Sequence, residues 1–169
     1  HTFLLEVFSE IVKIEPKAEF ILVGRGGLED KIKRKVQDMK LVDKVHFLGV
    51  REDIPELMIM MDGFVFPSIH EGLGIVAVEA QAAGLSCFIS DKITKEADLG
   101  LLNVISLQEN EFKWAEHINK FINEDKKDFS KANLEKFNIK NVSKQIDKIY
   151  LSGRFNSEVT YEENNSRSK

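Results

Sequence analysis

The chain has 169 residues, 24 Lys and Arg against 28 Asp and Glu, a formal net charge of −4, and a composition that is 43% hydrophobic and 31% charged. This balance excludes a disordered or fibrous chain and gives no electrostatic case for nucleic acid as the main partner. No apolar run approaches the roughly 20 residues that span a bilayer, and the expected address is cytoplasmic.

Phe3, Leu4, Val7, Phe8, Ile11 and Val12 recur at helical spacing, which predicts an amphipathic helix over residues 2 to 14, ended by Pro16. This opening reads as helix rather than as a signal peptide, and a chain that begins at His1 is expected to be a piece of something longer. Glu19 to Gly24 (EFILVG) reads as a short buried strand. Gly24, Gly26 and Gly27 form a turn, and Leu28, Ile32, Val36 and Met39 mark a second helix. Val45 to Gly49 is the next strand. Asp53 and Pro55 then open a helix, with Asp53 placed to cap it and Pro55 favoured in its first turn.

Phe64 to Phe66 is a third strand, stopped by Pro67, and residues 74 to 83 form its Ala-rich helix. Ser86 to Ser90 and Asn103 to Leu107 read as two more strands. Helices follow around Phe112 to Ile122 and Val142 to Tyr150. The polar residues 152–169 form a tail behind a single domain over residues 1–151. Short continuous apolar strands alternating with helices predict an α/β fold: a Rossmann-like parallel sheet flanked by helices on both faces.

The stretch from Phe64 to Gly84 (FVFPSIHEGLGIVAVEAQAAG) carries the most chemistry. In an open α/β sheet, ligands bind beyond the C-terminal ends of the strands. A helix starting there offers free amides and a positive dipole end to phosphate. Glu71 lies just before that helix and Glu79 within it. Glu79 sits about 7 to 8 Å along the helix from Gly74, at 1.5 Å per residue. Carboxylates flanking a phosphate seat make sense when hydroxyls lie between them and the phosphate, as in a nucleotide sugar. Gly72 and Gly74, on either side of Leu73, let the backbone approach a ligand, or form a plain tight turn.

Other candidates carry two readings each. Gly24-Arg25-Gly26-Gly27 is a structural turn or a wall beside a nucleobase, and Arg25 is solvated or near phosphate or base. Val50 and Arg51 end the second strand on the same rim as Glu71; Arg51 reaches a base edge or pairs with Glu52 or Asp53. His70 shapes a sugar pocket or is held by local packing. His46 and Trp114 read as structural, and Cys87 as a buried, reduced thiol. One cysteine and scattered histidines give no zinc spacing, and no Asp-x-Asp triplet, Gly-x-Ser-x-Gly elbow or phosphate loop occurs. No metal or cofactor is expected.

The runs FILVGRGG, VHFLGVREDIPELM and PSIHEGLGIVAVEAQAAG resemble the C-terminal half of GT-B fold retaining glycosyltransferases of group 1, over roughly residues 1 to 150. Within that family they look most like the branch that builds capsular and exopolysaccharides. The resemblance implies that Glu79 binds the nucleotide ribose and that Glu71, the residue carried over as catalytic, lies against the donor sugar. It places amides of Leu73 and Gly74 towards sugar or phosphate, and Gly24 and Val50 beside the nucleobase.

It further implies a nucleoside diphosphate sugar as donor, a UDP-sugar before others. The acceptor would be a saccharide or a lipid-linked saccharide, held by an N-terminal domain outside this chain; peripheral association with the inner membrane face suits that full-length enzyme. Family members also carry a first strand and a basic loop ahead of the opening helix. Under a 3-2-1-4-5-6 strand order that strand is central, so its absence is expected to leave two inner strand edges for upstream chain, a partner or an exchanged segment. The alternatives are a non-catalytic nucleotide-binding or interaction domain, and a sugar-nucleotide epimerase on the same scaffold.

Overall fold

The computed structural model describes residues 1–124, all within one compact unit. The elements run α1 (Thr2–Ile14), β1 (Phe20–Val23), α2 (Glu29–Asp38), β2 (Val45–Gly49), α3 (Ile54–Met60), β3 (Gly63–Phe66), α4 (Ile75–Ala82), β4 (Ser86–Ser90), a 3-10 turn (Lys95–Ala97), β5 (Leu102–Ile105) and α5 (Glu111–Glu124). The helix expected at Val142 to Tyr150, the domain boundary at residue 151 and the polar tail lie outside the described residues.

Every ladder is parallel, but the strands form two sheets: β1 with β2, and β3-β4-β5 with β4 in the middle. No ladder joins the two sheets among the described residues. Helix α1 spans both sheets. Its Leu5 and Phe8 pack with Ile32, Val36, Val45 and Phe20, whereas Val7 packs with Phe88, Ile105 and Trp114. Burial reflects the ladder: Cys87, Phe88 and Ile89 of β4 are fully buried, while every residue of β3 stays half-buried.

Side chains of the three-stranded sheet alternate between two covered faces. Cys87, Ile89, Phe64 and Phe66 meet α3 and α4 through Met58, Ala77 and Ala80. Phe88 and Val65 meet α1 and α5. Trp114 is fully buried and its indole N–H donates to the Ser106 carbonyl at 3.0 Å, so it is core, as its helical setting suggested. In the two-stranded sheet, Phe20, Leu22 and Phe47 pack against α1 and α2, and Phe8 stacks on Phe20 at 5.1 Å between ring centroids. His46, at the start of β2, lies 3.1 Å from a Glu19 carboxylate oxygen, at the strand end away from the ligand rim.

Two local expectations change. Asp53 stands at the start of α3, but its side chain caps no amide: Arg51 takes both carboxylate oxygens at 2.8 and 2.5 Å. A bidentate guanidinium is a stronger partner than one amide. Strand β5 begins at Leu102 rather than Asn103, because pairing with Cys87 fixes its register and not the centre of its apolar run.

The Cys87 thiol is buried under α4, and loss of solvation, with a smaller contribution from the Asp98 charge, pushes its pKa up to about 12. A thiol so far above neutrality holds almost no thiolate. We expect no reaction with a thiol reagent in the native chain at pH 8, and stoichiometric labelling on unfolding. Rapid native labelling would contradict the packing of α4 on β4.

Candidate functional site

In a parallel sheet all strands end on the same edge, so the rim is built from the loops that follow them. β1 is followed by Gly24, whose φ of +116° favours glycine; its amide donates to the carbonyl of Gly49, itself at φ +63°, at 2.7 Å. This clasp sets Gly24 beside the Gly49–Val50 turn. Val50 is exposed, with two thirds of its surface free (66%). Arg25 is also exposed and lends its charge to Glu29, whose carboxyl is held low mainly by a hydrogen bond from Lys33. Arg51 is spent on Asp53, and that pairing lowers the Asp53 carboxyl.

The loop after β3 forms the second group. Pro67 ends the strand. Ser68 Oγ lies 2.8 Å from Glu71 Oε1, and the carboxylate is otherwise exposed. His70 is exposed too, with its carbonyl 3.3 Å from the same hydroxyl. Gly72 and Leu73 lead into Gly74, which precedes α4 in the left-handed region at φ +70°, ψ +51°. A Cβ there would meet Ile93 and Phe66 only at ordinary contact distance, 3.5 and 3.8 Å. The demand for glycine is therefore conformational rather than steric.

No side chain caps the start of α4; the Ala77 amide turns back to the Gly74 carbonyl at 2.8 Å, which leaves the amides of Ile75 and Val76 ahead of it without a side-chain acceptor. Ala77, Ala80 and Gln81 face inward, while Ile75, Glu79 and Ala82 lie on the outer face. Glu79 is thus on the outside, one turn past Ile75, and enters no ion pair among the described residues. The carboxylate is exposed on that outer face.

Among the described residues, no hydrogen bond or ion pair joins one group of rim residues to the other. Ser68, His70, Glu71 and the glycines of one loop come together, as do Gly24, Gly49 and Val50.

Two further residues support the rim. Gln81 is fully buried and uses all four of its bonds: Nε2 donates to the carbonyls of Ala77 (3.0 Å) and Ala97 (2.8 Å), and Oε1 accepts from the amides of Leu99 (2.8 Å) and Leu101 (3.2 Å). It pins the helix that carries Glu79 to the β4–β5 connection. Asp91 accepts from the Leu107 amide and the Ser106 hydroxyl, bonds that hold its carboxyl below the usual range and tie the ends of β4 and β5. Lys92 stands 4.0 Å from Asp91. An amide among alanines was the available signal for Gln81; for Asp91 there was none.

Parallel strands covered by helices on both faces, with loops and a helix start gathered beyond the strand ends, define the α/β class to which the chain belongs. The family described as "Glycosyl transferases group 1" matches residues 1–137, and the chain belongs to it. EpsF of Bacillus subtilis (strain 168), which carries a glycosyltransferase name, is 43% identical over 120 residues, covering 70% of this chain and 31% of EpsF. An Escherichia coli UDP-Gal:alpha-D-GlcNAc-diphosphoundecaprenol alpha-1,3-galactosyltransferase is 40% identical over 77 residues, covering 45% of this chain and 20% of that enzyme.

Among solved structures, Anabaena Alr3699/HepE in complex with UDP superposes with a TM-score of 0.73 at 23% identity, over 88% of this chain and 44% of that one. That likeness establishes the fold. The chain spans about a third or less of the length of these two curated relatives.

Proposed function

We propose that this chain is the nucleotide-sugar-binding half of a retaining glycosyltransferase, which moves a sugar from a nucleoside diphosphate to a saccharide or lipid-linked acceptor in surface polysaccharide synthesis. The observation that carries this reading is the uncapped start of α4 set between two exposed carboxylates, neither spent in an ion pair. The names of two relatives agree with it: one enzyme uses UDP-Gal and a diphosphoundecaprenol-linked acceptor, and HepE binds UDP. A UDP-sugar is the favoured donor.

In this reading, the amides of Leu73 and Gly74 and the dipole of α4 meet the diphosphate. Glu79 accepts from the ribose hydroxyls, and Glu71, with His70 and Gly72 beside it, faces the hexose. Gly24 and Val50 border the base; Arg25 stays near the phosphates or in solvent. Arg51 contributes through its pair with Asp53, which shapes the turn after Val50.

As the bond to the anomeric carbon breaks, negative charge gathers on the departing diphosphate, and the helix start is already oriented towards it. Positive charge develops on the sugar, where the Glu71 carboxylate stabilises it electrostatically. No described helix is long and apolar enough to cross a membrane; cytoplasmic work at the inner membrane face fits a lipid-linked acceptor.

Calorimetric titration of UDP and GDP tests the assignment. We expect UDP to bind, and Glu79→Ala to weaken it by about ten-fold or more, the worth of hydrogen bonds to a charged group. Equal affinity in both proteins would remove Glu79 from the ribose.

A further inference from the structure

The three-stranded sheet does not stop influencing the chain where its ladder ends. The last β3–β4 pair is Phe66 with Ile89, and Pro67 has no amide with which to continue. Beyond it, the fully buried Ser90 donates its hydroxyl to the Ser68 carbonyl, and the same Oγ accepts from the Lys92 amide at 3.3 Å. A side chain from the most buried strand thereby carries the β3–β4 connection past the proline and fixes the backbone of Ser68. The Ser68 hydroxyl has one proton and two acceptors in reach, Glu71 Oε1 at 2.8 Å and the His70 carbonyl at 3.3 Å. The shorter, charged acceptor wins.

Glu71 itself is exposed, and no other described side chain hydrogen-bonds to its carboxylate. A long acid in that setting samples several rotamers unless something selects one.

We propose that Ser68 is a positioning residue: its hydroxyl, anchored to β4 through Ser90, holds the Glu71 carboxylate in one orientation so that it meets the donor sugar without first paying the entropy of being ordered. This rests on the reading that Glu71 faces the hexose. It adds a specificity device, because the hydroxyl acts on recognition of the sugar and leaves the diphosphate and ribose contacts to α4.

Two measurements on the chain test it separately from that reading. The first is the rotamer distribution of Glu71 from three-bond side-chain NMR couplings. One rotamer is expected to dominate in the unsubstituted chain and in Ser68→Thr, which keeps the hydroxyl, and averaging is expected in Ser68→Ala. A Glu71 that stays fixed in Ser68→Ala overturns the proposal, whatever binds.

The second is the ratio of UDP-glucose to UDP affinity by calorimetry. Ser68→Ala is expected to lower that ratio by about five- to ten-fold with UDP affinity unchanged, and Ser68→Thr to restore it. A general loss of structure would lower both affinities, and Thr would not rescue it selectively. If Glu71→Gln changes the ratio and Ser68→Ala does not, positioning is wrong and the role of Glu71 stands. If Glu71→Gln leaves the ratio unchanged while the couplings behave as expected, the sugar-facing role of Glu71 is lost, and the specificity device with it.

Discussion

Replacing Gln81 with Leu is expected to destabilise the chain by about 3 to 5 kcal/mol, a large share of the stability of a domain this size. Leucine fills much of the same volume, so the loss comes from what it leaves behind. The amides of Leu99 and Leu101 and the carbonyl of Ala97 all lose their partner, and each buried polar group left unpaired costs roughly 1 to 3 kcal/mol. The Ala77 carbonyl fares better, since the helix gives it a backbone partner.

Urea unfolding followed by the Trp114 signal would measure the drop; a midpoint within error of the parent would mean that water replaces the amide at no cost. Gln81→Glu refines the test. Its carboxyl can still accept from Leu99 and Leu101, but when ionised it has no proton for Ala97. Burial raises its folded-state pKa above the unfolded one, so the folded state binds more protons between the two values. Stability of this variant is therefore full at low pH and falls as pH rises through that window, whereas the parent shows no such loss from this site.

Gln81 also shows why part of the molecule was hidden in its sequence. Three of its four partners lie 16 to 20 residues further on, in a connection whose path no local pattern announces. The elements themselves were legible because apolar spacing is a local property: α1 and β2 fall where periodicity put them, and β4 likewise. Strand β5 moved because the run Leu101 to Leu107 is apolar at several phases, and only the β4 ladder chooses among them.

Within the site, Glu71, Glu79 and the glycines stood out by residue type and spacing, and Gly74 does take the backbone form that glycine allows. Ser68 lay in the same motif without an assigned task, because its role depends on the loop folding back by three residues. Asp53 looked like a helix cap from position alone; the arginine two residues earlier outcompeted the amides. The pairing of Arg51 with Asp53 was one of the two readings its position offered, and it excludes the cap expected of Asp53.

The interrupted sheet leads to the other large effect. β4 is bonded on both sides: amides of Cys87 and Asp91 reach carbonyls at β5 (2.9 and 3.1 Å), and the strand pairs with β3 on its other edge. β1 and β3 each have a single ladder partner. Along a parallel strand successive amides point to opposite neighbours, so in β1 and β3 every second amide faces an edge with no acceptor among the described residues. Native-state hydrogen exchange should follow that alternation. Amides of Cys87, Phe88 and Ile89 are expected to exchange slowest, near the rate of global unfolding. Within β1 and β3, slow and fast positions should alternate, differing by roughly a thousand-fold. Open edges of this kind also invite added strands; if the chain pairs with itself there, the fast positions slow as concentration rises and recover on dilution. Uniformly slow exchange along both strands at every concentration would show that the ladder is continuous, and the two-sheet description would be wrong.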